Sequence, residues 1–300
     1  MLNSKYGRAC LVGMVGALAL CGGARADGAG EYAKLLLDTT PALVTVKFVL
    51  KMEGQFGKRE TETEITGLMV DSSGLVLCAN SKLGLPRIMR SLGSATPTDI
   101  KVLIGDDTEG LEAKVMARDT ELDLAWVKIK EPGDKKFAAL DLGKSAMVNP
   151  GDRILTLRKM AKFFDRAITI SEGRLAGRTA KPRDLLVPGG GIDVEPGQPI
   201  FTPDGRIVGL VVMQLPDMEE MESNPMAFMG MRSDILNGLI LPIGEVAKAT
   251  ARAKERPEDE EDDADDDVGE KPATTQKAAT PDDDEKPAAD KKSDDDDDEE

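Results

Sequence analysis

Residues Thr66–Gly84 read "TGLMVDSSGLVLCANSKLG": two short apolar runs flanking Asp71-Ser72-Ser73-Gly74. Asp and Ser hydrogen-bond their own backbone in turns, and Gly accepts the left-handed conformation that tight turns need. The two runs therefore pair as an antiparallel hairpin. Immediately upstream, "VTVKFVLK" alternates, with Val44, Val46, Phe48 and Leu50 on one side and Thr45, Lys47 and Lys51 on the other. That two-residue period marks a strand with one face turned to a core.

The pattern continues in both directions. "DIKVLI" and "LEAKVMA" flank "GDDTEG", with Leu111, Ala113, Val115 and Ala117 alternating against Glu112, Lys114 and Met116; "LDLAWVKIK" follows as a further strand. The second half repeats the style in "RILTLRK", "AITISEGRLAG", "PIFT", the turn Pro203-Asp204-Gly205, and "RIVGLVVM". Helix is expected over "EYAKLLLDT" and after Pro242, where Val246, Ala247 and Ala251 form the apolar side. Many short strands between Gly, Pro and Asp turns predict an all-β barrel or sandwich, and periodicity does not choose between them.

The ends of the chain differ from its middle. Residues Pro257–Glu300 carry 22 Asp/Glu and 5 Lys, about −17, against a formal −16 for the whole chain. With almost no large apolar residue, this stretch does not bury enough surface to offset the entropy of ordering it, so residues 256–300 are expected to be a disordered acidic tail. Such a carboxylate field attracts Ca²⁺ or a basic partner loosely, without the spacing of an EF-hand. At the other end, Lys5 and Arg8 precede an apolar run to about Cys21 and then Ala24-Arg25-Ala26. This is the layout of a secretory signal peptide, residues 1–26, with cleavage after Ala26 and a periplasmic or extracellular destination; no membrane span is expected to remain after cleavage. Cys78 is then the only thiol of the exported chain, so no intramolecular disulfide forms.

Three segments between about Pro41 and Lys248 resemble, in order, the trypsin-like serine proteases, and specifically their HtrA/Deg branch. "TGLMVDSSGLVLCANSKLG" has the frame of the family's strand, turn and strand ending in "LTNNHVV", with Ser81 where the general-base histidine is expected. "AKVMARDTELDLAWVKIK" is similar to the segment whose last Asp orients that histidine, and places it at Asp123. "EPGQPIFTPDGRIVGL" is similar to "NPGNSGGPLxNxDGxVxGI", which supplies nucleophile and oxyanion hole. The resemblance implies two perpendicular six-stranded β-barrels, with a cleft between them, over residues 27–255, closed by a short C-terminal helix. It leaves no segment for the PDZ domain that often follows in that family.

The chemistry implied by that frame is incomplete in this sequence. A serine triad needs a base of near-neutral pKa, which histidine provides, and this chain contains 0 His. From Gly189 to Phe201 there is no Ser, Thr or Cys. In one register Pro196 stands at the nucleophile position, lacking both the hydroxyl and the backbone N–H that serves as an oxyanion donor. In the other, the serine is deleted after Gly197. Asp123 is left without a histidine to orient, and is expected to accept hydrogen bonds from nearby backbone or from hydroxyls such as Ser81. Ser81-Lys82 and Lys144-Ser145 are not preformed Ser-Lys dyads, because adjacent residues on a strand point to opposite faces. Cys78, in an apolar strand, reads as an inert buried thiol.

No cofactor is expected, and the absence of His with one remaining Cys leaves no metal-ligand spacing. "GGGI" at Gly189 lacks the Gly-Lys-Ser/Thr of a phosphate loop. Nucleic-acid binding has no basic surface to rest on. The remaining feature is Met-rich: Met213, then Met218, Met221, Met226, Phe228, Met229 and Met231. Met fills gaps in long loops, and it also makes an adaptable surface for a protein or peptide. The expectation is an exported trypsin-like domain acting as a non-catalytic binding or scaffolding module. The alternatives are an active endopeptidase using other residues, and a cation-responsive envelope or matrix protein.

Overall fold

The structure, a computed structural model, describes residues 27–54, 57–85, 93–214 and 238–255. Twelve strands occur among them: β1 (Leu43–Gly54), β2 (Gly57–Asp71), β3 (Leu75–Ala79), β4 (Gly93–Leu103), β5 (Leu111–Asp119), β6 (Leu124–Ile129), β7 (Arg153–Lys159), β8 (Ile168–Thr179), β9 (Leu185–Gly189), β10 (Pro199–Phe201), β11 (Ile207–Val212) and β12 (Leu239–Pro242). Helix α1 spans Asp27–Thr39 and helix α2 spans Ile243–Glu255. The strands close into two antiparallel six-stranded barrels, in the orders β1-β2-β3-β6-β5-β4 and β10-β11-β12-β9-β8-β7. The choice between barrel and sandwich is thereby made. Strands β9 and β12 are short, the first containing Pro188 and the second ending at Pro242, and carry too little alternation to be read from sequence.

The continuous apolar runs are explained by burial on both faces. In β3 the side chains of Val76 and Cys78 enter the first barrel's core with Val44, Val46 and Phe48, while Leu75 and Leu77 face a separate cluster. That second cluster joins Leu68, Leu124 and Trp126 of the first barrel to Leu155, Leu157, Phe201 and Leu210 of the second, and to Leu35 of α1 and Val246 of α2. Strand β11 divides in the same way, with Val208 and Val211 in the second barrel's own core and Ile207, Leu210 and Val212 in the seam. A strand between two apolar layers has no solvent face, so its pattern is a run rather than an alternation. Inside the first barrel, a Cβ on Gly67 would lie 2.5 Å from Val76 and 2.9 Å from Val46, so only glycine fits there.

Two sequence expectations are corrected. Met116 is partly buried against the inter-barrel cluster, because the register of β5 against β6 shifts between Val115 and Ala117. The buried face of α2 is Ile243, Val246, Ala249, Thr250 and Ala253; Ala251 is exposed. The 3.6-residue period allowed either stripe of alanines, and docking against the cluster that holds Trp126, whose indole N–H donates to Thr250 Oγ1 at 3.1 Å, selects this one.

Candidate active site

Strand β3 ends at Ala79 and turns through a 3-10 turn, Asn80–Lys82, which places Ser81 at the barrel rim. The pairing Ala79↔Leu124 brings Asp123 alongside, and the Asn80 N–H donates to the Asp123 carbonyl at 3.1 Å. Asn80 is itself fixed by Arg118, whose guanidinium donates to its side-chain oxygen at 2.8 Å. Asp123 adopts a left-handed backbone (φ 57°), which a short polar side chain that bonds locally tolerates better than most.

The Asp123 carboxylate is 4% exposed and accepts three hydrogen bonds. The Ser81 N–H donates at 2.6 Å, the Ser81 hydroxyl at 3.0 Å, and the Met213 N–H, at the end of β11, at 2.7 Å. Burial raises its pKa, opposed by those donors and by the charge of Lys82. The contact between Asp123 and Ser81 expected from sequence is present, and Met213, which no local pattern pointed to, ties the second barrel to it.

The turn Glu195–Gln198 faces this pair. A Cβ on Gly197 (φ +94°) would sit 3.4 Å from the Ala79 nitrogen and 3.7 Å from the Thr66 carbonyl, so the turn lies against the first barrel. Its donors are occupied. The Glu195 N–H donates to the Gln198 side chain at 3.2 Å, the Gly197 N–H to the Val211 carbonyl at 2.7 Å, and the Gln198 N–H to the Glu195 carbonyl at 3.2 Å. Pro196 has no N–H. Gln198 is 3% exposed, and Thr156 Oγ donates to its side-chain oxygen at 3.4 Å.

Charged side chains of both barrels meet at this turn. Lys82 Nζ, from the first barrel, lies 3.7 Å from Glu195 Oε2; Arg158, on β7 of the second barrel, lies 2.9 Å from Glu195 Oε1 and 3.1 Å from Asp193 Oδ2. These partners were invisible in sequence because charge along the chain says nothing of contacts 35 or more residues apart. Neither Ser-Lys pair forms a dyad: Ser81 donates to Asp123, Lys82 faces Glu195, and Lys144 and Ser145 are exposed. Cys78 is fully buried, its pKa pushed up to about 12 by desolvation, and its thiol donates weakly to the Ala125 carbonyl at 3.6 Å. Among the described residues no three His, Cys, Asp or Glu side chains group as a metal site. Met218, Met221, Met226, Phe228, Met229 and Met231 lie outside the described residues, as do residues 1–26 and 256–300.

Two closed six-stranded antiparallel barrels, with the Ser81–Asp123 pair and the Glu195–Gln198 turn on facing segments, constitute a trypsin-like fold. Residues 65–210 match the family model described as Trypsin-like peptidase domain. Among 282 matching chains of solved structures is the crystal structure of Deg5, at 16% sequence identity and a TM-score of 0.49, covering 74% of this chain and 93% of that one. No curated protein matches.

Proposed function

We propose that this protein is an exported, trypsin-like double barrel that has no peptidase chemistry and binds a protein or peptide in its inter-barrel cleft. One observation carries the reading: the Glu195–Gln198 turn, where an oxyanion would be held, has no N–H free to hold it. The missing base agrees, because Ser81 gives both its N–H and its hydroxyl to Asp123 in a chain with 0 His. A serine attacking a carbonyl needs its proton removed, and a serine bonded only to a carboxylate of structural use has no group to return that proton to a leaving amine. Lys5 and Arg8 before an apolar run, with Ala24-Arg25-Ala26 behind it, support export to the periplasm or beyond.

The test is a fluorophosphonate probe on the purified mature protein, read by intact mass. No stoichiometric adduct is expected. A single adduct on one serine, lost in Ser81→Ala, would establish the alternative, an endopeptidase with an unfamiliar site.

A further inference from the structure

We infer that the cleft selects ligands bearing a carboxylate, and that Glu195 occupies the place of that carboxylate when the cleft is empty. This rests on the reading of the cleft as a peptide-binding site. Two cations from opposite barrels, Lys82 and Arg158, converge on the two oxygens of one side chain, at 3.7 Å and 2.9 Å. Their side chains are 39% and 41% exposed, so both are within reach of a ligand in the cleft.

The anion between them is held in place by its backbone. Glu195 precedes Pro196, whose ring fixes its own φ and restricts the residue before it. The Glu195 N–H is bound by the buried Gln198 side chain, and its carbonyl accepts the Gln198 N–H. A carboxylate fixed in this way competes with an incoming one at a high effective concentration. A planar guanidinium with a second cation beside it is the arrangement that recognises a carboxylate in preference to its amide. Asp193, also on Arg158 at 3.1 Å, is a second carboxylate on the same guanidinium.

The experiment uses the mature full-length chain and two fluorescein-labelled heptapeptides of alanine and valine, one with a central glutamate and one with glutamine. Anisotropy is measured for the wild type, Glu195→Gln, and Glu195→Gln combined with Lys82→Gln or Arg158→Gln. Removing the internal competitor is expected to tighten binding of the glutamate peptide about tenfold or more, with little change for its twin. Losing either cation should erase that difference, and 0.5 M NaCl should shrink it. Glu195→Gln binding both peptides equally would overturn the carboxylate preference and leave the peptide-binding reading standing. Binding of neither by any variant would overturn both. All three substituted side chains are at least a third exposed, so the variants are expected to keep the wild-type melting midpoint, measured in parallel.

Discussion

At the scale of single residues, Asp123 shows how a buried carboxylate is held by donors from two barrels. Its three donors come from a turn of the first barrel and the end of a strand of the second. Asp123→Ala strands two half-buried N–H groups and should lower the unfolding free energy by about 1–3 kcal/mol, from unmet hydrogen bonds to a charge. Asp123→Asn keeps an acceptor and should lose less. The pH dependence has a definite sign. Because burial raises this carboxyl above its ordinary 3.8, the folded chain takes up the proton more readily than the unfolded chain does. The ionised group therefore weighs against folding above its folded pKa, and that burden vanishes below 3.8. The deficit of Asp123→Asn relative to wild type should grow as pH falls from 7 toward 4 in urea titrations. A constant deficit would contradict the burial effect.

At the scale of elements, the helices test different forces. Helix α1 docks through Leu35 in the seam and through an ionic cluster, in which Arg153 pairs with Glu172 at 2.9 Å and Glu31 at 3.2 Å and the Tyr32 hydroxyl donates to Glu172. The Arg153 guanidinium and then the Tyr32 hydroxyl hold Glu172 down from its ordinary 4.5 to about 2. A depressed carboxyl stabilises the fold above its unfolded pKa and loses that effect as pH falls through its folded one. Protection of residues 27–39 against hydrogen exchange should thus fade between pH 4.5 and about 2. With the pair about a third exposed, the effect is only about 0.5–1 kcal/mol. Helix α2 tests packing. Ala249→Glu should destabilise by about 2 kcal/mol or more, since it buries a charge in the seam, whereas Ala251→Glu should fall within about 0.5 kcal/mol of wild type by thermal denaturation. The existence of both helices was legible in sequence. The face of α2 was not, because alanines at 247, 249, 251 and 253 offer equivalent stripes until a partner surface exists.

For the whole molecule, the inter-barrel seam joins the two closed sheets through one apolar cluster. Besides the shared apolar cluster, Glu64 of β2 binds Arg166 of the β7–β8 turn through two hydrogen bonds of 2.7 and 2.9 Å, with both side chains under 20% exposed. Trp126 and Asp71 of the first barrel bond Thr250 and Lys254 of α2, a helix that also packs on β11 and β12. Calorimetric unfolding is expected as a single transition, and Glu64→Ala should lower its midpoint by about 1–3 kcal/mol equivalent while leaving it single. Two resolved transitions would mean that the seam does not couple the barrels.

By itself, the sequence determined the hairpins, the acidic end, the absence of histidine and of a nucleophile between Gly189 and Phe201, and the closeness of Ser81 to Asp123 through a recognisable frame. Those features are local, or compositional, and turn chemistry and side-chain inventory fix them without long-range information. Only the tertiary structure decided that the strands close as two barrels, that Met213 joins the Asp123 site, that the Glu195–Gln198 turn spends its donors internally, and that Glu195 lies between Lys82 and Arg158. Each of these depends on which distant segments are brought within about 4 Å, and chain order does not carry that distance.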